Sequence, residues 1–407
     1  MPSQQYDALY ALYTSTNGAG WSNGCNSGWV FSSPADYSAP CSGWYGVTCN
    51  SQCNVTQINL EDCQLSGPIP SQLGYMTSMT DLYLDINSLT GTIPSQLGYM
   101  TSMESLSLYS NSLRGTIPSQ LGYMTNMTFL YLYINSLTST IPSQLGSLTN
   151  MTVLWLNSNS LTGTIPSQLG SMISMTYLDL DSNSLRGTIP SQLGYMASMY
   201  YLGLSSNSLI GTIPSSLLLC QQLGSVYLQN NNLVGPVPST IMTLPYLTGI
   251  NLSNNRQLSG SIQSLFSIDT SQMLQYIILS NMTLTGSLSD ELFDLPQLTT
   301  LVLSSNQLSG TLPASVCTSN LTSLFLDGIG TSSTTRGQGF HGSIPSCIFS
   351  SNLSTLHLAG NGLTGTLPAV PESSPIRTLT VARNRLTGIH PIRILTSSSH
   401  HHHYYTR

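Results

Sequence analysis

Apolar residues return along most of this chain at one fixed spacing. Pro70, Pro94, Pro118, Pro142, Pro166, Pro190, Pro214 and Pro238 stand 24 residues apart, each after Ile or Val. Within one period the apolar positions are Met79, Leu82, Leu84, Leu89, Ile93, Leu97 and Met100. The Leu82-x-Leu84 alternation is that of a strand with one face buried, so Asp81, Tyr83 and Asp85 are predicted to face solvent. One strand per period predicts a solenoid in which each coil buries its leucines against its neighbours, with about thirteen strands stacked in a parallel sheet.

Polar positions repeat as strictly. Asn87, Asn111, Asn135, Asn159, Asn183, Asn207, Asn231, Asn255, Asn306, Asn361 and Asn384 follow the strand, where a buried carboxamide can satisfy backbone groups of neighbouring coils. Gly91 and its equivalents permit a bend, and Pro94 and its equivalents end the segment. The pattern loosens between about 255 and 345: Met282 and Ile329 take the Asn position, Gln257 adds a residue, and residues 328–339 form an insertion.

The spacing L-x-x-L-x-L-x-x-N-x-L-x-G-x-I-P-x-x-L-G-x-L resembles the plant-type subclass of the leucine-rich repeat family. The resemblance covers residues 55–390, about fourteen units. It implies an α/β-type repeat solenoid, mostly β: a right-handed curved superhelix with a concave parallel sheet and a short second sheet on the flank. Residues 1–54 resemble the family's N-terminal cap, with Cys41-Ser-Gly-Trp-Tyr-Gly-Val-Thr-Cys49 matching C-x-W-x-G-V-x-C and Asp7-Ala-Leu-Tyr-Ala-Leu-Tyr with Trp21 matching its helical segment. Residues 391–407 read as a tail.

Cys63, at the ladder position, and Cys220, at a core Met position, are expected to be buried thiols. Cys25, Cys41, Cys49 and Cys53 remain for two cap disulfides; of three connectivities, Cys41 with Cys49 and Cys25 with Cys53 is preferred, and Cys317 with Cys347 supplies a third bridge from adjacent coils. The spacings lack the paired C-x-x-C knuckles of a metal site, so no metal is expected. Asn54, Asn126, Asn150, Asn251, Asn281, Asn320 and Asn352 begin N-x-S/T sequons, and all but Asn251 and Asn281 share one repeat position before the strand. Disulfides and sequons together predict an extracellular location, secreted or cell-surface, although Met1-Pro-Ser-Gln-Gln does not read as a signal peptide.

Charged residues make up only 6% of the chain, there is no lysine, and the net charge is −6. Nucleic acid is thereby disfavoured as a partner, and no apolar run is long enough to span a membrane. No catalytic constellation or cofactor motif is legible. His341, His357 and His390 lack partners at a recognised spacing, and Gly337-Gln-Gly-Phe-His-Gly342 matches a dinucleotide fingerprint only literally, because it opens no helix after a strand. His400 to His403 read as part of the tail. Arg383 and Arg385 straddle Asn384, off the strand, and so do not match the paired arginines of the family's peptide-hormone receptors.

The lining of the concave face is the candidate site. Asp81, Tyr83, Asp85, Phe129, Tyr131, Tyr133, Trp155, Tyr177, Asp179, Asp181 and Tyr201 form an aromatic and acidic tract there, and exposed aromatics offer binding area at low entropic cost. The expected function is a non-enzymatic recognition or adhesion module for a protein, peptide or glycan ligand. The alternative is a self-assembling subunit of an extracellular matrix or fibre, through homo-assembly. Third comes ice binding, from a row of Thr92, Thr116, Thr140, Thr164, Thr188 and Thr212; Tyr75, Tyr99, Tyr123 and Tyr195 repeat on the convex side, and such rows equally suit side-by-side packing of identical chains or follow from repeat duplication alone.

Overall fold

A computed structural model of the chain describes residues 1–22, 24–328 and 339–387. It divides into two compact units, Met1–Leu209 and Ile210–Arg407.

The first unit opens with the helix Ser3–Ser15, which buries Tyr6, Ala8, Leu9 and Leu12. Trp21, Trp29 and Trp44 are buried beside it, with ring centroids 4.9 Å apart for Trp21 and Trp29 and 5.0 Å for Trp29 and Trp44. The buried Gln5 accepts a hydrogen bond from the Val55 amide through its side-chain oxygen at 2.9 Å. Strand Val47–Cys49 then pairs antiparallel with Val55–Asn59 and covers the first edge of the sheet. These groups seal a coil whose leucines would otherwise meet water.

From there the register advances by one repeat per strand. Asp81–Tyr83, Ser105–Ser107, Phe129–Tyr131, Val153–Trp155, Tyr177–Asp179 and Tyr201–Gly203 pair in parallel, with Leu82 opposite Leu106, Leu106 opposite Leu130 and so on. These central leucines are fully buried, as are Met79, Leu84, Leu89, Leu97 and Met100. Each such side chain contributes about 1.5–3 kcal/mol by leaving water. Short 3-10 helices such as Ser95–Tyr99, entered from Pro94, form the backs of the coils. The backs pack so closely that a Cβ on Gly98 would lie 2.3 Å from the Gln120 carbonyl, and Gly122 stands 2.4 Å from Gln144 in the same way.

The asparagines form the expected ladder. Asn159 Nδ2 donates to the carbonyls of Leu132, Leu156 and Asn157, while its Oδ1 accepts from the Leu137 amide. One carboxamide thereby holds two coils. The flanking sheet is also present, with Ser136–Thr140, Ser160–Gly163 and Ser184–Thr188 in parallel.

In the second unit the strands are Ser225–Tyr227, Gly249–Asn251, Tyr276–Ile278, Thr300–Val302, Ser323–Phe325, Thr355–His357 and Thr378–Thr380. Its backs are less uniform and include the four-residue helices Ile262–Leu265 and Asp290–Phe293. Met282 fills the ladder position as a buried apolar side chain, 4% exposed. Among the described residues the strands of the main sheet number fifteen, eight in the first unit and seven in the second. The excess over thirteen includes Val47–Cys49, a strand of the cap that lies outside the repeat. Ile329, the greater part of the 328–339 insertion, His390, His400 to His403 and the 391–407 tail lie outside the described residues.

Candidate functional site

Alternation along each short strand sends two side chains to the solvent face, and the residue two further on adds a third. In the first unit this makes three columns across neighbouring coils. Asp81, Ser105, Phe129, Val153, Tyr177 and Tyr201 form the first; Tyr83, Ser107, Tyr131, Trp155, Asp179 and Gly203 the second. The third is Asp85, Tyr109, Tyr133, Asn157, Asp181 and Ser205.

The aromatic rings of the predicted site are brought together. Trp155 stands edge-on to Tyr131 at 5.2 Å and to Tyr133 at 5.5 Å. Phe129 stacks on Tyr131 at 6.2 Å, and Tyr177 meets Tyr201 at the same distance. Tyr109 belongs with them, stacked on Tyr133 at 4.4 Å with the planes 6° apart. Alternation places it on the lining, and the 24-residue register places it beside Tyr133.

The carboxylates differ from the expectation of solvent exposure. Asp85 is only 3% exposed, with the Ser107 and Tyr109 hydroxyls of the next coil, about 4.8 Å on, bonded to its carboxylate. Burial pushes its carboxyl up, while hydrogen bonds from the Ser107 and Tyr109 hydroxyls oppose the rise. Burial, with the Asp85 charge, likewise raises Tyr109. Asp81 sits at the other end of the same coil's strand face, accepting from the Tyr83 hydroxyl at 3.0 Å and the Thr80 hydroxyl at 2.7 Å. Asp179 and Asp181 are half-buried: Asp179 accepts from the Asp181 amide at 3.0 Å, and Asp181 accepts from the Ser205 amide. Burial pushes Asp179 up to about 7 and raises Asp181 as well. Asp179 lies directly between Trp155 and Gly203 on adjacent strands.

The cap corrects one sequence expectation. Cys41 pairs with Cys49 and Cys317 with Cys347, but Cys25 pairs with Cys63, their Cα atoms 5.8 Å apart. Cys53 is left as an exposed thiol. Cys63 was expected to act as a ladder residue, yet its neighbour Asn87 supplies that role, its Oδ1 accepting from the Cys63 amide at 3.1 Å, so the sulfur is available to the cap. Cys220 is buried and in no disulfide, its thiol pushed up to about 11 by burial.

Among the sequons, Asn126, Asn150, Asn320 and Asn352 are exposed, whereas Asn54, Asn251 and Asn281 are half-buried. Asn126 and Asn150 each donate to a carbonyl one coil back, of Thr101 at 3.2 Å and Thr125 at 3.1 Å. Asn251 lies on a strand with its oxygen taken by the Ser253 amide and hydroxyl. On the flank, Thr92, Thr116, Thr140, Thr164 and Thr188 are exposed, and the methyls of Thr92, Thr140 and Thr164 abut the next coil: a Cβ on Gly163 would sit 2.6 Å from Thr140 Cγ2. His341 lies in the flank strand His341–Gly342, so the apparent dinucleotide fingerprint runs along a strand, while Gly337 and Gln338 lie outside the described residues. His357 Nδ1 lies 3.3 Å from Asp327. Among the described residues there is no His, Cys, Asp or Glu cluster able to hold a metal ion, and no helix long and apolar enough to cross a membrane.

The Leucine Rich Repeat family model matches residues 54–76, 102–124, 150–172, 174–196, 297–319 and 352–373. Among solved structures, that of PEPR1–AtPEP1 is 25% identical with a TM-score of 0.59, covering 93% of this chain and 65% of its own. The ectodomain of the Arabidopsis thaliana receptor kinase GASSHO1/SCHENGEN3, in complex with CASPARIAN STRIP INTEGRITY FACTOR 2, is 30% identical with a TM-score of 0.56, over 85% of this chain and 55% of its own. This chain therefore spans about three fifths of the length of those structures. A plant ice-binding protein is 27% identical with a TM-score of 0.57, over 77% of this chain and 89% of its own. No curated protein matches. The repeats, their ladder and this likeness place the chain in the plant-type leucine-rich repeat family.

Proposed function

We propose that the first unit is a non-enzymatic, extracellular recognition module that binds a peptide across Tyr83, Phe129, Tyr131, Tyr133, Trp155, Tyr177 and Tyr201. One observation carries this reading. The coils serve as an alignment of the chain with itself, and their widest differences fall on the strand face. Some exposed positions elsewhere do not change: Gln96, Gln144 and Gln192 are the same residue, as are Thr92, Thr116, Thr140, Thr164 and Thr188, and others alternate among a few residues, as Tyr99, Tyr123, Ser147, Ser171 and Tyr195 do. At the same time the second strand column runs Tyr83, Ser107, Tyr131, Trp155, Asp179, Gly203. Exposure alone does not cause such divergence; a surface matched to a non-repeating ligand does. A solved relative supports the ligand class, since the Arabidopsis receptor kinase HAESA is in complex with the peptide hormone IDA.

Selection of a random-sequence peptide library against the whole protein tests this. Enriched peptides should lose about 30-fold in affinity on Trp155→Ala, the effect of a hot-spot aromatic of about 2 kcal/mol, with the melting temperature unchanged. Unchanged affinity would refute the reading. Glycans are proposed at the exposed sequons Asn126 and Asn150, and mass mapping of protein from a eukaryotic host decides that point.

A second reading has its own support in the threonine row. Its regular, packed methyls and the similarity to an ice-binding protein point to ice as the alternative ligand of the flank. Thermal hysteresis or ice-recrystallisation inhibition lost on Thr116→Tyr and Thr140→Tyr, but not on Trp155→Ala, would establish it.

A further inference from the structure

The turn after each strand of the first unit holds one residue in left-handed backbone. Asp62, Ser110, Ser158, Ser182 and Ser206 occupy it with short polar side chains that are not branched at Cβ. Two coils depart from that choice. Ile86 at φ 53° and Ile134 at φ 52° are the only β-branched residues with positive φ among the described residues, and a branched Cβ crowds the backbone there. Burial does not offset that strain in full, since Ile86 is 40% exposed and Ile134 50%.

Both isoleucines border the aromatic face. The Ile86 amide donates to the Tyr109 carbonyl at 3.0 Å and the Ser110 amide to the Tyr133 carbonyl at 3.0 Å, so the turns keep the register of the strands. Ile86 and Ile134 thus stand about 9–10 Å apart, two strand spacings, with the half-buried Ser110 between them. The stacked pair Tyr109 and Tyr133 immediately precedes Ser110 and Ile134 in the chain. The Asp85 carboxylate, which precedes Ile86, is buried and bonded to the Ser107 and Tyr109 hydroxyls. From Ile86 to Ile134 the edge therefore presents apolar side chains and no exposed carboxylate.

We infer that Ile86 and Ile134 are specificity-determining contacts of the peptide face and hold one apolar side chain of the bound peptide between them, over Ser110. Each isoleucine costs the free protein stability, and covering its methyls adds a favourable contribution that only the complex contains. The edge is continuous with the proposed peptide face, since Tyr133 belongs to both. An extended peptide advances about 3.3–3.6 Å per residue, so a side chain over Ser110 lies about four residues from one over Trp155, two strands along and three positions across. The inference rests on the peptide-binding reading and adds to it the chemistry and place of a second anchor.

The test uses the whole protein and the peptides that it selects from a random-sequence library. Those peptides should share an apolar residue about four positions from the one coupled to Trp155. Ile86→Ser with Ile134→Ser, which installs the residue of the intervening coil, should weaken them about ten-fold by isothermal titration, the loss of one well-covered apolar contact. The melting temperature should stay within about 2 °C of the native value or rise, because relieved strain offsets lost burial. Alanine at the peptide's apolar residue should weaken binding to the native protein about ten-fold, and to the double variant by less than about two-fold. Unchanged affinity of the double variant, a melting temperature lower by more than that margin, or an equal alanine effect in both proteins overturns the inference. If the peptides still lose affinity on Trp155→Ala in that case, the peptide-binding reading stands and only the second anchor falls; if they do not, or if no peptide is selected, both fall.

Discussion

The two units use the same repeat with different strictness. In the first, the backs of the coils are nearly identical and the strand face varies; in the second, both vary. At the position of Gly98 and Gly122, where a Cβ would press on the next coil's carbonyl, the second unit carries Leu218. At the ladder position it carries Met282. Uniform coils demand glycine and asparagine because every contact is repeated at its closest approach, whereas a unit of unlike coils can open a gap and fill it with a larger side chain. Variation therefore signals a ligand site only in the first unit, where the framework is held constant.

The largest effect expected from this contrast is on stability. Gly122→Leu should destabilise the protein by about 3 kcal/mol, since the close approach to Gln144 leaves no room, while Leu218→Gly should cost about 1 kcal/mol or less. Urea denaturation compares the two directly. Equal costs would mean that the backs of the two units pack alike.

Next is a pH effect confined to the first unit. Burial raises the carboxyl of Asp179 to about 7, well above the ordinary carboxylate range. The folded state therefore binds a proton more tightly than the unfolded one. The stability this provides is complete below about pH 4 and is lost as pH rises through about 7. Asp179→Asn avoids the buried charge, so it should match the native protein at pH 4 and exceed it by roughly 2 kcal/mol at pH 8. Melting curves across that range check the sign. A variant less stable at pH 8 would show that the carboxylate is stabilised where it lies.

In binding, Trp155→Ala should weaken selected peptides by about 2 kcal/mol, whereas Phe325→Ala on the strand face of the second unit should change affinity by less than about 0.5 kcal/mol. Isothermal titration distinguishes them, and a comparable loss from Phe325 would extend the site beyond the first unit. The smallest effect is expected at the flank: Thr116→Val should leave both stability and peptide affinity within about 0.5 kcal/mol.

The solenoid itself was legible because a buried leucine, a ladder asparagine and a helix-entry proline each recur at the same interval, so one coil read correctly gives the others. What the interval does not report is depth on the strand face. Asp85 and Asp81 occupy equivalent alternate positions, yet Asp85 is buried and bonded to the Tyr109 hydroxyl, a residue one coil on that reaches it only after the coils stack. The partner of Cys25 was hidden for a related reason. Cys63 reads as a member of the ladder, and only the placement of the cap loop against the first coil brings its buried sulfur to Cys25. Trp155 was recognisable as a lining residue, but the burial of Gly203 beneath the neighbouring Tyr201 ring and Asp179 was not, because it depends on side chains folding across the strand face.

The constant register of the first unit has a consequence for how such an array can change over time. Because Leu82 pairs with Leu106 as Leu106 pairs with Leu130, and Asn111 and Asn135 make the same bonds in successive coils, removing residues 97–120 would present each remaining coil with a surface like the one it lost. Recombination between misaligned copies can then lengthen or shorten the array in whole coils while preserving the framework. Each such event would slide one set of strand-face residues past another, placing Asp81 and Tyr83 beside Phe129 and Tyr131, and so generate a new combination of contacts in a single genetic step.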